Sequence, residues 1–285
     1  MLRRTFVATS AVGMILATSP LACAQIHAAT ALKTGYAPVN GLKMYYEIHG
    51  TGQPLILLHG GLGATEMFGE VLPLLSNSRQ VIAVDLQAHG RTADIDRPMS
   101  FEAMADDIAA LMKYLSIEKA DLMGYSLGGG VALHTAIRHP DMVNKLVLVS
   151  IAFRLDGWYP EIVAGMAQVG AASAEPMKQT PMYQLFARIA PRPADWPVLL
   201  TKIGDLLRQD YDWSKEVAAI KAPTLLVFGM PTPSAPHMPC SSLNSSAAVR
   251  RMAAGTDREY PMLGSPFCRV LRITPSSRHR PWRLQ

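Results

Sequence analysis

The sequence predicts an α/β domain whose mostly parallel sheet carries helices on both faces. Three observations lead there. Leu55-Ile56-Leu57-Leu58 and Val81-Ile82-Ala83-Val84 are apolar runs with no polar face, as expected of strands covered on both sides. Strand-like and helix-like stretches then alternate along the chain, which is the order of a parallel sheet built from crossover units. Finally, Gly124-Tyr125-Ser126-Leu127-Gly128 joins an apolar run directly to a helix-like segment. The composition is globular: 285 residues, 49% hydrophobic and 17% charged, suffice for a sizeable core.

The elements follow in chain order. Residues 1–24 form an export signal: Arg3 and Arg4, an apolar stretch too short to span a bilayer, then Ala22-Cys23-Ala24 as a cleavage site before Gln25. Arg3-Arg4-Thr5-Phe6-Val7 also resembles a twin-arginine export motif. A periplasmic or secreted protein is expected, without a membrane anchor after cleavage. Cys240 and Cys268 are then the only cysteines of the mature chain, and neither a disulfide framework nor a metal site follows from them.

Asn40-Gly41 is a two-residue hairpin signal, and the alternating, aromatic-rich residues 42–48 read as an antiparallel strand. Met104, Ile108, Leu111 and Leu115 recur at helical spacing behind Ser100, a suitable N-cap. Residues 120–123, 146–149 and 224–228 read as further strands and 131–139 as a helix. The N-terminal part of the core is thus expected over 25–153, with its next strand in 217–229. Residues 154–216 interrupt the alternation with aromatic and Met residues among Pro and Gly, and are expected to form a helical cap over the strand ends.

Four strings carry a family resemblance: Leu57-Leu58-His59-Gly60-Gly61, Asp85-Leu86-Gln87-Ala88-His89-Gly90-Arg91, Gly124-Tyr125-Ser126-Leu127-Gly128, and residues 222–229, Ala-Pro-Thr-Leu-Leu-Val-Phe-Gly. In this order the chain resembles the α/β-hydrolase family, especially its small esterase, proline-iminopeptidase and cofactor-free haloperoxidase branch. The resemblance implies a serine hydrolase of carboxylesterase type acting on a small ester or acyl substrate, with neither metal nor organic cofactor. Acyl transfer needs a nucleophile, a base, an acid to orient the base, and donors for the tetrahedral oxyanion. Ser126 fits the nucleophile. The Leu127 N–H, at the start of the following helix, faces developing negative charge favourably. By resemblance the second donor is the Gly61 N–H, with Leu62 the weaker choice. His59 and His89 take structural roles in the same comparison, as does Asp85, while His134 and His139 read as helix-surface residues. The dehalogenase and epoxide-hydrolase branches use Asp where this chain has Ser126.

The resemblance stops after Gly229. The family expects an acid within a few positions, commonly as G-D-x-D, and a late histidine; the chain continues Met230-Pro231-Thr232-Pro233. The triad acid and base are therefore unassigned. Residues 230–285 hold eight Arg, no Lys, two acidic residues, eight Pro and eight Ser, so the formal charge of +5 resides in this tail. A basic binding face for nucleic acid gains no support from it. Codons offer an explanation. Met is ATG alone, so the neighbouring frame across Met230-Pro231-Thr232 can encode Asp-Ala-Asp. The same shift lets residues 251–258 encode Asp-Gly-Gly-Trp-Asp-Gly-Ser and residues 271–274 encode Thr-His-Tyr. The tail is thus expected to be an out-of-frame translation, with the C-terminal part of the fold missing or aberrant. The alternatives are a divergent tail in which His237 or His279 replaces the base, and a non-enzymatic hydrolase-fold protein that binds a small ligand or is a relic.

Overall fold

A computed structural model describes residues 32–229 and 268–273; the expected export signal and the rest of the tail lie outside the described residues. The sheet has eight strands: β1 (Lys33–Val39), β2 (Leu42–His49), β3 (Gln53–Leu58), β4 (Arg79–Val84), β5 (Ala120–Tyr125), β6 (Val143–Val149), β7 (Thr224–Gly229) and β8 (Cys268–Ile273). Their order is β1-β2-β4-β3-β5-β6-β7-β8. The five central strands, β4 through β7, are mutually parallel. β1 and β2 form an antiparallel hairpin whose turn places Asn40 at φ 46° and Gly41 at φ 87°, the left-handed pair such a turn requires.

Both faces of the sheet are covered, as unbroken apolar strands demand. Ile56, Leu58, Ile82 and Val84 pack with Met104, Ile108 and Leu111 of α2 (Phe101–Tyr114) and Val131 of α3 (Leu127–Arg138). Their neighbours Leu55, Leu57, Val81 and Ala83 point the other way, against Val71, Leu72 and Leu75 of α1 (Val71–Ser76). The Ser100 hydroxyl caps α2, accepting from the Ala103 N–H at 3.1 Å. Removing such a cap typically costs about 1 kcal/mol.

β8 pairs antiparallel with β7 from Thr224↔Ile273 to Gly229↔Cys268 and covers that edge of the ladder. One expectation is corrected. His134 is not on a helix surface: it is 5% exposed, stacked on Phe101 and met edge-on by Trp213 at 4.5 Å. Trp213, which buries it, stands at the far end of the cap, out of reach of helical periodicity. His139, the C-cap of α3, bonds Asp106 through Nε2 at 2.8 Å and is half-buried.

Between β6 and β7 the chain forms α4 (Pro160–Ala167), α5 (Pro181–Ile189), α6 (Trp196–Leu207) and α7 (Ser214–Ala218), with short 3-10 turns. Trp196 anchors this layer, 1% exposed, its indole N–H donating to the Ala174 carbonyl at 3.1 Å. The two ends of the layer clasp each other: Leu155 N–H donates to Tyr211 O at 3.0 Å and Trp213 N–H to Phe153 O at 2.9 Å. It is therefore a single excursion above the strand ends, closed at its base.

Candidate active site

Three loops at the carboxyl ends of β3, β4 and β5 build the site. At the end of β5, Ser126 adopts φ 50° and ψ −115°, a conformation costly for any residue with a Cβ. Its N–H is held by Val149 O at 2.8 Å and its carbonyl accepts from Gly130 N–H at 3.1 Å. The turn is compact enough that a Cβ on Gly124 would lie 2.0 Å from the Gly128 carbonyl oxygen. A Cβ on Gly128 would lie 2.4 Å from the Leu58 oxygen. Both glycines are therefore steric necessities of a strand that turns straight into a helix.

The loop after β3 comes alongside. Gly60 to Gly63 form a turn closed by Gly63 N–H donating to Gly60 O at 3.1 Å, with Leu62 at φ 61°. A Cβ on Gly60 would lie 2.7 Å from the Tyr125 ring and 3.5 Å from Ser126 Cβ. One on Gly61 would lie 3.9 Å from Leu127 Cβ. Gly61 and Leu127 thus face each other beside Ser126. Among the described residues, no acceptor takes the N–H of Leu127, Gly61 or Leu62. A buried N–H without a partner is rare and costly, and Leu127 is 5% exposed.

His59 braces this turn. Leu86 N–H donates to its Nε2 at 3.1 Å, so the ring proton is on Nδ1, which donates to Gly60 O at 2.7 Å. With both nitrogens engaged and burial pushing the pKa down to about 4, the ring is a neutral strut. His89 packs against it, ring centroids 5.0 Å apart, and is held by Gln87 O at 2.8 Å. Burial and the neighbouring His59 push its pKa down to about 3. Asp85 accepts from Thr65 N–H and Arg91 N–H, both at 2.8 Å, tying the β3 loop to the β4 loop. Burial raises its pKa to about 6 against these donors. Ala88, where the family turn has glycine, takes φ 63°.

The half of the site that would move protons is different. Among the described residues, no side chain bonds the Ser126 hydroxyl, and His49, His59, His134 and His139 have protein neighbours of their own. His237 and His279 lie outside the described residues, as do residues 230–233, where the family carries its acid; residues 271–273, where the neighbouring frame would put the late histidine, stand in β8. Among the described residues no helix is long and apolar enough to cross a membrane.

The family model described as alpha/beta hydrolase fold matches residues 53–190, from β3 through the cap helix α5. The pimeloyl-[acyl-carrier protein] methyl ester esterase of Neisseria meningitidis is 35% identical over 191 residues, covering 61% of this chain and 72% of the esterase. The chain belongs to the α/β-hydrolase family. A 2-hydroxymuconate semialdehyde hydrolase from a Pseudomonas species is 38% identical over 116 residues, but that stretch spans 39% of this α/β-hydrolase and 41% of the relative. Among solved structures, a haloalkane dehalogenase loop variant from Bradyrhizobium elkanii shares the fold, with TM-score 0.62 and 19% identity over 79% of this chain and 96% of the other. The hydrolase is esterase-like in its relatives.

Proposed function

We propose that this α/β-hydrolase is built as a carboxylesterase in which Ser126 attacks a small ester or acyl substrate, and that the present chain lacks most of that activity. The observation that carries the reading is the strained Ser126 at φ 50°, followed by the Leu127 N–H, which no described residue accepts, and faced by the Gly61 turn. In the reaction the Ser126 oxygen adds to the acyl carbon, and the tetrahedral oxyanion draws two hydrogen bonds, from Leu127 N–H and Gly61 N–H. Collapse expels the alcohol, and water then releases the acyl group. Fixed donors of this kind are each worth about 3–4 kcal/mol in the transition state. Ser126 in place of the dehalogenase-type Asp favours ester over halide or epoxide substrates.

The base and acid are the missing partners, and the codon pattern after Gly229 supports loss of one base as the cause. Two proteins test this: the present chain and the chain restored by one base ahead of codon 230. The restored chain is expected to react with a fluorophosphonate at Ser126 and to hydrolyse a short chromogenic ester, both lost in Ser126→Ala. If it does neither, the Ser126 reading fails. Equal activity in the unrestored chain would instead mean that the tail carries its own base, and the frame reading would fall. So would codons from 229 onward unable to give Asp-Ala-Asp in the neighbouring frame. A ligand-binding role without turnover is the second reading, favoured by the lack of any described partner for the Ser126 hydroxyl. Export completes the proposal: the mature protein in a periplasmic or secreted fraction is expected to begin at Gln25, and an N-terminus at Met1 there would exclude it.

A further inference from the structure

The cap helix α6 reaches the oxyanion turn with one side chain. A methyl built on Gly61 would lie 3.9 Å from Ile203 Cδ1 as well as from Leu127 Cβ, an ordinary contact distance. Neither packing nor a left-handed backbone therefore demands glycine at position 61, in contrast to Gly124 and Gly128. Room for a methyl over Gly61 is thus bounded by Ile203 on the cap side and Leu127 on the core side. That residue is 3% exposed and belongs to the apolar cluster that joins Leu127 of the core to Phe186, Trp196 and Leu199 of the cap.

The adjacent residue fixes where Ile203 stands. Lys202 Nζ donates to Ile95 O at 2.7 Å, Arg97 O at 2.8 Å and Asp94 Oδ2 at 2.6 Å, using all three ammonium protons on one core loop. Asp94 is itself held by Gln87 Nε2 at 3.0 Å, and Arg97 by the fully buried Asp107 at 2.6 Å. Sliding α6 along the core would break this whole set.

We infer that Ile203 sets the length of the acyl group this site accepts, with Lys202 the positioning residue that holds it over the oxyanion turn. This rests on the proposed roles of Ser126, Leu127 and Gly61. A β-branched, rotamer-restricted wall at contact distance admits a short straight acyl chain and turns back a long one.

Binding of straight-chain carboxylates to the full chain tests the inference without requiring turnover, since the free N–H groups that would face an oxyanion also favour a carboxylate. Calorimetric titration with acetate, butyrate, hexanoate and octanoate should show affinity falling with length in the parent chain. Ile203→Ala should bind octanoate about tenfold more tightly and leave acetate unchanged. Ile203→Val, which keeps most of the packing, should move the same way by about threefold, and it carries the test if the alanine variant does not fold. Lys202→Met should flatten the length preference while its circular dichroism stays that of the parent. Identical length profiles in the parent, Ile203→Ala and Ile203→Val would overturn the inference. Failure of the underlying reading has another signature: no carboxylate binds the parent chain, and Gly61→Ala, expected to weaken every length alike, changes nothing.

Discussion

The two halves of this active site are made of different material. The half that would stabilise charge is backbone: the N–H groups of Leu127, Gly61 and Leu62, which no described residue accepts, held by turns in which Gly60, Gly124 and Gly128 cannot be replaced without collision. The half that would move protons is side chain, and among the described residues nothing fills it for Ser126. The first half is encoded within residues 57–130, where strand, turn and helix follow each other directly. In the family's pattern the second comes from chain positions after β7, distant in sequence from Ser126. A change confined to the last part of the chain can therefore remove proton transfer and leave the oxyanion side whole.

Restoring the neighbouring frame after Gly229 is the largest test of that comparison. Triad members act as a unit, and their joint loss costs about 10⁶-fold in kcat, with the oxyanion side retaining a residual of about 10³–10⁴ over water. The restored chain should accordingly exceed the present one by at least about 10⁴-fold in ester turnover. A gain under about tenfold would mean that the proton-moving half was not what the tail lost.

Glycine substitutions separate the two kinds of backbone in the first half. Gly128→Ala drives a methyl to 2.4 Å from the Leu58 oxygen, which is backbone and cannot step aside. It should destabilise the fold by about 3 kcal/mol or more, read by urea denaturation. Gly61→Ala meets nothing closer than 3.9 Å and should stay within about 0.5 kcal/mol of the parent. Equal losses at the two positions would erase the distinction between glycine required by the turn and glycine left open to a ligand.

Most of the frame could be read before any coordinates. Strands without a polar face, the Ser100 cap and the G-x-S-x-G turn are local patterns, and β3, β4, α2, β5 and α3 stand within a few residues of where those patterns place them. The N-terminal hairpin followed from Asn40-Gly41 alone. What could not be read depends on contacts between distant segments. His134 is buried by Trp213, 79 positions along the chain. Lys202 finds its acceptors on residues 94–97, and Ile203 finds Gly61, across the cap boundary. The β7–β8 pairing was hidden for a related reason, since residues 268–273 sit in a stretch whose composition announces no strand. The Leu127 N–H was expected from its place at the helix start and those of Gly61 and Leu62 from the family resemblance; the left-handed Leu62 at φ 61° became visible only with the turn.

Acid titration tells a brace from a base. His59 and His89 are neutral in the fold, with pKa values pushed down to about 4 and about 3 by burial, whereas the unfolded chain takes up their protons near 6.5. Stability from this pair is complete above pH 6.5 and lost as pH falls toward 4. Asp85, raised to about 6 by burial, works in the opposite direction, because between pH 4 and 6 the folded state holds a proton that the unfolded state has released. Two protons against one leave a net slope of about 1.4 kcal/mol per pH unit, with stability falling as pH falls from about 6 to 4. Urea denaturation at pH 7, 6 and 5 measures it. A flat or inverted profile would mean that the histidine struts are not held neutral.

Three serines among the described residues, Ser116, Ser126 and Ser150, take positive φ, and the first two sharpen the comparison at its smallest scale. Ser126 at φ 50° heads the helix of the proposed site; Ser116 at φ 57° ends α2 on the exposed surface. At Ser116 the turn closes the helix, with Ile117 N–H donating to Met112 O at 2.8 Å and Ser116 N–H to Lys113 O at 3.0 Å. Glycine is the residue this ending favours, since it has no Cβ to crowd the carbonyl. Ser116→Gly should stabilise the protein by about 1 kcal/mol, the left-handed penalty of about 1–2 kcal/mol less the entropy glycine loses on folding. Ligand binding at Ser126 should be untouched, because the strain at Ser116 serves only the helix end. A melting temperature unchanged or lowered in Ser116→Gly would mean that positive φ carries no penalty in this chain, and the strain at Ser126 would lose its value as a mark of function.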